Sequence, residues 1–272
     1  MPTLYVVATP IGNLEDVTLR ALRVLREVSL IAAEDTRTTR KLLSHYRIKA
    51  RLTSYHEHNK GAKIPHILDA LRHADVALVS ESGMPGVSDP GYDLVAAAAA
   101  AGLPVVPVPG PSAVVAALAV SGLPTRRFAY VGFFPRRKGE RRRLLSALAA
   151  QSQTIVALES PHRLLATLSD LLAVLGDRRI AVCRELTKLH EEVFRGRTSE
   201  AIAHFQEPRG EFTLVLEGAP QPAKAVVPTE AVLTELRQLR QQGVAPRQAV
   251  TQVAQQLGLP RRQVYRLWLQ LQ

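Results

Sequence analysis

The stretch 76–102 limits most strongly what this chain can fold into. Residues 76–79 (VALV) form an apolar run of strand length, which leads into a loop with three glycines and two prolines. An alanine-rich tract at 92–101 then predicts a helix that ends at a glycine. This order is typical of open α/β sheets, which bind ligands where strands end. The spacing fits a structural turn equally well, but two acids in the loop, Glu81 and Asp89, favour a ligand site.

The same unit recurs through residues 1–122 and predicts an α/β domain. Apolar runs at 4–8, 30–33, 52–55 and 105–108 alternate with helical patterns, which predicts a mostly parallel sheet. Residues 123–220 continue with longer spacing and predict a second α/β domain with a mixed sheet. Neither a G-x-G-x-x-G fingerprint nor a P-loop sequence occurs, which argues against both kinds of nucleotide site.

Residues 228–272 predict a small helical tail after a Pro/Ala-rich linker at 221–227. Apolar positions within 249–267 follow the rhythm of a helix-turn-helix, with a glycine and a proline between the helices. Two interpretations stay open, a motif that reads nucleic acid and a helical hairpin that only packs. The seven Lys/Arg and two acids of residues 221–272 favour the first.

The formal net charge of +11 indicates the kind of partner rather than the fold. A phosphate-rich polymer is the first expectation, and a generally basic proteome is the alternative. Segment 36–55 carries six Lys/Arg and no acid, and segment 135–143 carries six against one acid. Such runs predict contacts with RNA phosphates, although a solvated surface is the other interpretation.

Three features predict a cytoplasmic protein with no membrane segment. No apolar run reaches the about 18 residues of a spanning helix. The sequence enters a predicted strand directly, without a charged-then-apolar leader, so we expect no signal peptide. A single cysteine, Cys183, rules out an internal disulfide framework and suits a reducing compartment. We also expect no metal, because the His-x-His at 56–58 lacks further ligands at suitable spacing.

The loops at the strand ends resemble those of the tetrapyrrole methylase superfamily. Within it they are similar to the ribosomal small-subunit RNA methyltransferase I family. Seven segments carry the resemblance in order: 8–20 (ATPIGNLEDVTLR), 33–37 (AEDTR), 55–59 (YHEHN), 82–92 (SGMPGVSDPGY), 107–113 (PVPGPSA), 159–163 (ESPHR) and 184–188 (RELTK). The match covers about residues 4–218, and the helical tail looks like the helix-turn-helix appendix of this family.

The resemblance implies two α/β domains, 1–122 and 123–220, with a cleft between them that binds S-adenosylmethionine. It also implies transfer of the methyl group to the ribose 2′-oxygen of a cytidine in small-subunit (16S) ribosomal RNA, without a metal, by a homodimer. The cofactor residues that it implies are Pro10, Gly12, Glu81, Gly83, Met84, Pro85, Pro109, Ser112, Ala113 and Leu158.

RNA contacts and a general base complete the predicted site. A base could assist the 2′-hydroxyl, and six acids at strand or loop ends are candidates: Glu34, Asp35, Glu81, Asp89, Glu159 and Glu185. We select Glu159 or Asp35 as the catalytic acid near the substrate, and a salt bridge or a helix cap is the alternative role for any one of the six. The basic residues expected to hold the RNA are Arg37, Arg40, Lys41, Arg136, Arg137, Lys138 and Arg163.

Two departures from the family pattern concern the same site. Glu81 stands where the family has aspartate, which puts the geometry of that carboxylate in question. Lys60 stands where a glutamate is usual and adds to the basic surface. Two other functions stay open, a methyltransferase of this fold that acts on a corrinoid or porphyrin precursor and a nucleic-acid binder without catalysis.

Overall fold

The first sheet is parallel and has the strand order β3-β2-β4-β1-β5. The computed structural model describes residues 1–220 and 229–271 of the chain, which divide into two units after Ala219. The strands of the first sheet are β1 (Leu4–Val7), β2 (Leu30–Ala33), β3 (Leu52–Ser54), β4 (Val76–Val79) and β5 (Val105–Val108). This confirms the predicted parallel sheet. Every residue of β4 is buried because helices cover both faces.

The helices that cover this sheet are α1 (Leu19–Glu27), α2 (Thr36–His45), α3 (Lys60–Leu71), α4 (Tyr92–Ala100) and α5 (Ala113–Val120). Successive residues of β4 pack into different apolar clusters, since Ala77 and Val79 face one and Val76 and Leu78 face the other. Capping side chains fix where two helices begin. Thr18 accepts a hydrogen bond from Ala21 N at the start of α1, and Asp35 does the same for α2.

The second sheet is mixed, with the order β6-β7-β10-β8-β9, as predicted. Only β6 and β7 run parallel, and the other pairs are antiparallel. Its strands are β6 (Phe128–Phe133), β7 (Thr154–Glu159), β8 (Arg179–Arg184), β9 (Glu192–Arg197) and β10 (Phe212–Leu216). Its helices are α6 (Lys138–Leu148), α7 (Pro161–Leu175) and α8 (Thr198–His204). The proposed boundary at residue 122 falls between the last strand of the first sheet and the first strand of the second. Both sheets belong to one compact unit, so the division into two domains stays a prediction.

One residue of the basic segment 135–143 lies inside the protein. The Arg141 side chain is 6% exposed and donates to Asp170 at 2.6 and 2.8 Å, while Arg142 pairs with the same carboxylate at 2.7 Å. The Arg141 guanidinium also donates to the backbone oxygen of Arg136, which holds the start of the segment in place. The expectation that the whole segment contacts RNA is therefore wrong at Arg141, because that cation neutralises a buried acid.

The second unit is helical and has its own core. It contains α9 (Thr229–Gln241), α10 (Pro246–Gln256) and α11 (Arg261–Leu269), packed around buried Leu236, Val253 and Trp268. The predicted helical tail is confirmed, while the linker 221–227 and residues 228 and 272 lie outside the described residues. In the part of the chain that the structure describes, no helix has the length and apolar character needed to cross a bilayer.

Candidate active site

A cavity of about 580 Å³ opens at the carboxyl edge of the first sheet. Its wall takes residues from the loops after β1, β2, β4 and β5, and also from β6, β7 and β10. Small-molecule sites commonly measure about 300–1,000 Å³ and combine apolar walls with a few polar groups. Both sheets therefore contribute to one site of a size that suits a small organic cofactor.

Backbone groups from two loops of the first sheet meet at this cavity. Thr9, after β1, and Gly83, after β4, exchange two backbone hydrogen bonds with N···O distances of 2.9 and 3.0 Å. Gly83 has a φ of +75°, a left-handed conformation that glycine adopts without the steric cost of a Cβ. The loop therefore presents main chain rather than side chain to the cavity.

Residues 185–188, in the connection between β8 and β9 of the second sheet, contact the loop after β1. Asn13 N donates to Thr187 Oγ1 at 3.0 Å, and a Cβ on Gly12 would lie 2.5 Å from Lys188 Cγ. Glu185 and Thr187 have φ values of +50° and +68°, and such strain costs about 1–3 kcal/mol for each residue. These conformations bring Lys188 to the cavity wall, where its ammonium group lies 3.0 Å from Glu185.

Three carboxylates from the first sheet face the cavity, on Glu34, Glu81 and Asp89. Glu34 Oε2 accepts a hydrogen bond from Glu81 N at 3.1 Å. Burial, and next the nearby charge of Glu34, raise the pKa of Asp89 to about 7. Burial likewise raises the pKa of Glu34, against the hydrogen bond from Glu81. A ligand with positive charge would relieve the repulsion among these acids, and Asp89 can change its protonation near neutral pH.

Asp35, one of the two predicted catalytic acids, begins α2. Its Oδ1 accepts from Arg37 N at 2.7 Å and from Thr38 N at 3.4 Å, and its Oδ2 pairs with Arg37 Nη2 at 2.9 Å. The hydrogen bonds from Arg37 lower the pKa of Asp35 to about 2. Asp35 is not among the cavity residues, whereas the preceding Glu34 is.

Glu159, the other predicted catalytic acid, ends β7 and borders the cavity with its side chain fully buried. It accepts hydrogen bonds from Ser160 N at 2.8 Å and Thr167 Oγ1 at 2.6 Å, and it pairs with Arg163 at 2.9 Å. Three donors fix this carboxylate, so it is suited to holding the end of β7 in place.

Eight of the ten predicted cofactor residues line the cavity, and they come from three separate loops and one strand. They are Pro10, Gly12, Glu81, Gly83, Met84, Ser112, Ala113 and Leu158. Pro85 and Pro109 are not among the residues of its wall; Pro85 is buried and Pro109 is exposed. Binding by all ten stays a prediction, and the geometry brings eight of them together.

Of the seven predicted RNA-binding cations, six have exposed side chains and one is bound within the protein. Six are exposed: Arg37, Arg40, Lys41, Arg136, Arg137 and Lys138. Arg163 is largely buried, because its Nη2 donates to Phe134 O and pairs with Glu159. Its geometry favours a role in positioning Glu159 over a contact with RNA.

Sequence reasoning missed several cavity residues of the second half, among them Tyr130, Phe133, Lys188 and Phe212. Tyr130 and Phe133 belong to β6, a strand that was predicted but not given a site. Phe133 ends that strand just before the basic segment, and this position was the available signal. Phe212 carried no signal in the sequence. It is the first residue of β10, and it lies beside the end of β7 because these two strands are antiparallel.

A second depression, of about 650 Å³, lies on the helical tail. Two arginines, three glutamines and a threonine line it, and none of them is an acid or an apolar residue. We place the chemistry in the first cavity because titratable groups and strand ends meet there. Within residues 1–220 and 229–271, no three His, Cys, Asp or Glu side chains are grouped as a metal ion would require.

Comparison with known proteins decides the family. The model of the family described as Tetrapyrrole (Corrin/Porphyrin) Methylases matches residues 3–202. The chain belongs to the tetrapyrrole methylase family. It is a methyltransferase, as predicted, and the α/β fold with a helical tail is the predicted one.

Two tetrapyrrole methylase relatives carry the same name, Ribosomal RNA small subunit methyltransferase I. The protein from Synechocystis is 48% identical over 100% of this chain and 99% of its own length. The protein from Thermotoga maritima is 54% identical over 80% of this chain and 99% of its own length. The second alignment spans 221 residues, about the length of the first unit of this chain, which ends at Ala219.

The fold also resembles that of solved tetrapyrrole methylases. Uroporphyrin-III C-methyl transferase from Thermus thermophilus, complexed with S-adenyl homocysteine, has a TM-score of 0.56 and 24% identity. The similarity covers 80% of this chain and 97% of the other. At this identity the likeness describes the fold.

Proposed function

We propose that this protein transfers the methyl group of S-adenosylmethionine to the ribose 2′-oxygen of a cytidine in small-subunit ribosomal RNA. The observation that carries the proposal is the cavity between the two sheets, with acids and backbone loops on one side and aromatic side chains followed by a basic segment on the other. The relatives named for small-subunit ribosomal RNA support this substrate.

The cavity residues fit S-adenosylmethionine chemically. Ile11, Met84 and Leu158 offer apolar surface for an adenine ring, and Gly83 leaves the main chain of its loop open to the ligand. Glu34 and Asp89 complement the positive charges of a sulfonium and an amino group. When bound, the cofactor supplies an electrophilic methyl carbon, so neither a metal nor a covalent enzyme intermediate is needed.

The residues of the chain then have two tasks. The first is to align the 2′-oxygen with the methyl carbon, and rigid positioning of this kind supplies much of the rate. The second is to take up the proton of the 2′-hydroxyl. Asp89 suits this task because it lies in the cavity and has a pKa of about 7. Asp35 and Glu159 would instead fix α2 and β7 through their hydrogen bonds.

The exposed cations would hold the RNA backbone at the mouth of the cavity. Arg37 flanks it at the start of α2, where Thr38 already lines the wall. Arg136, Arg137 and Lys138 follow the end of β6 by a few residues. Selection of RNA over DNA would come from the 2′-hydroxyl and from an unpaired, splayed nucleotide.

We further propose that the protein works in the cytoplasm as a homodimer. The family resemblance supports the dimer, and the single cysteine supports the reducing compartment. Sedimentation equilibrium at micromolar concentration tests the first point, and a single species with the mass of one chain would contradict it.

Methyl transfer to isolated small ribosomal subunits tests the proposed function. The subunits should come from a strain without this gene, and the methyl group of S-adenosylmethionine should carry a radioactive label. We expect the label at one cytidine whose 3′ linkage resists alkali, because a 2′-O-methyl group blocks cleavage there. Label on the base, or transfer to tetrapyrrole precursors in place of RNA, would contradict the proposal.

A further inference from the structure

Phe133 is a large apolar side chain that the fold exposes at the cavity. It is the last residue of β6, lines the wall and is 54% exposed. The next residue, Phe134, is 3% exposed and packs in the core beside β7. A single exposed apolar side chain needs no partner, but Phe133 lines the same cavity as Tyr130 and Phe212, so its ring is open to a ligand that enters there.

The backbone at Phe133 belongs to the second sheet, where this residue pairs with Leu158 of β7. The pairing of β6 with β7 shifts register between Tyr130 and Phe133, and Gly132 between them has a φ of +68°. Tyr130 is fixed by a 2.6 Å hydrogen bond between its hydroxyl and Ser88 Oγ. The ring of Phe133 is therefore presented by a sheet rather than by a loose loop, which reduces the entropy lost when a partner stacks on it.

The surroundings of Phe133 indicate the chemistry of that partner. Arg136, Arg137 and Lys138 follow it closely in the chain and are exposed. The Arg137 side chain is 85% exposed and meets only the neighbouring Glu140, at 3.4 Å, among its ion pairs in the described residues. An aromatic surface followed by exposed cations is the arrangement with which proteins bind single-stranded nucleic acid, stacking bases and contacting phosphates.

We propose that Phe133 stacks on the base of the nucleotide to be methylated and holds it out of the RNA structure, so that its ribose enters the cavity. The inference rests on the proposed function and adds a substrate-binding residue to it. Stacking tolerates any base, so Phe133 would position the nucleotide while other contacts choose it.

The size of the effect follows from the strength of such contacts. Loss of one base–aromatic stack lowers binding about 5- to 150-fold. The variant Phe133→Leu keeps an apolar side chain and removes the π surface, so we expect kcat/KM for RNA to fall within that range. Phe133→Trp should restore most of the activity. The affinity for S-adenosylmethionine should stay within about twofold, because the stack involves only the RNA.

The same strand offers a matched control. Phe128 begins β6, is 41% exposed and lies outside the cavity wall. The variant Phe128→Leu makes the same chemical change on the same strand and should leave kcat/KM for RNA unchanged. Equal losses in both variants would point to a general weakening of β6 and would overturn the inference.

A fluorescent cytidine analogue at the target position gives a direct readout of stacking. RNA carrying it should lose fluorescence on binding the wild-type and Phe133→Trp proteins and keep it with Phe133→Leu. Undiminished activity and equal quenching in Phe133→Leu would refute the inference while leaving methyl transfer intact. A loss of cofactor affinity would place the ring against the cofactor, and a loss of dimer would place it in a subunit interface, and either result would also refute it. Failure of the wild-type protein to methylate any ribose would instead count against the proposed function.

Discussion

The two sheets of the first unit contribute to one cavity in different ways. The first sheet is parallel, so all five of its strands end at the same edge, and the loops after four of them bring main-chain groups and the acids Glu34, Glu81 and Asp89. The second sheet is mixed, and it brings rings from β6 and β10 and then a basic segment. The difference suggests a division of labour, in which the first sheet binds the cofactor and moves the proton while the second receives the RNA.

The strongest test of this division is Asp89→Asn. We expect kcat/KM to fall about 10²- to 10⁴-fold, the usual contribution of a general base. Activity of the wild-type protein should rise with pH through about 7, as Asp89 loses its proton, and the variant should lack this rise. A pH–rate profile measures both. An unaltered profile in the variant would assign the proton to another group.

The same substitution has an opposite effect on stability. The pKa of Asp89 is about 7 in the folded protein and about 3.9 in an unfolded chain. The folded state therefore binds more protons between these values, and stability falls as pH rises through this window. Asp89→Asn removes the cost, so the melting temperature at pH 8 should rise by at least about 2 °C, the shift expected for 1 kcal/mol in a domain of this size. A lower melting temperature would mean that the carboxylate stabilises the fold.

Gly83→Val separates the cofactor from the RNA. A Cβ at a φ of +75° strains the loop by about 1–3 kcal/mol, so we expect the affinity for S-adenosylmethionine to fall roughly 5- to 150-fold. RNA binding should change little. Gly102→Val is the matched control, because Gly102 also has a positive φ, of +69°, but lies beyond α4, and its Cβ position would have no neighbouring atom of residues 1–220 or 229–271 within 4 Å. Isothermal titration calorimetry measures the cofactor affinity of both variants. An equal loss in the two would show that the cofactor does not bind at Gly83.

Reversing the charges at Arg136, Arg137 and Lys138 should have the complementary effect. Each lost phosphate contact reduces the slope of log affinity against log salt by about 0.7 for single-stranded RNA, and affinity at low salt should fall about tenfold or more. Cofactor affinity should stay the same. Filter binding across a salt series measures the slope, and an unchanged slope would show that these side chains do not contact RNA.

Removal of residues 221–272 should have the smallest effect. The tail packs around its own core, and the Thermotoga maritima relative spans only 80% of this chain. Helices α10 and α11 contain four arginines and no acid, so the truncated chain should bind RNA roughly three- to tenfold more weakly. It should bind the cofactor as before. Loss of cofactor affinity on truncation would show that the tail supports the site.

The sequence predicted the strands well because buried parallel strands are short apolar runs that break sharply at glycine and proline. The bounds of β2, β4 and β5 matched the prediction. The sequence did not predict which side chains at the strand ends point into the cavity. Glu34 and Asp35 are neighbours, yet only Glu34 faces the cavity, because Asp35 turns to cap α2. Both residues are acids in a polar loop, so the sequence alone does not separate them.

Long-range pairing set a second limit. Arg141 reads as one more cation in a basic run, and only the fold brings it to Asp170, which lies 29 positions away. Phe133 shows the same limit in reverse, since an apolar residue at the end of a strand is usually buried. The structure instead exposes this ring at the cavity, after a register shift in β6 that the sequence does not show.

A crystal structure with S-adenosylhomocysteine bound tests the central claim most directly. We predict that the ligand lies in the cavity, against the backbone of Gly83 and Met84, with its amino group near Glu34 or Asp89 and its sulfur pointing toward the side formed by the second sheet. A ligand bound against the second sheet or the helical tail, with the loops after β1, β4 and β5 untouched, would contradict it.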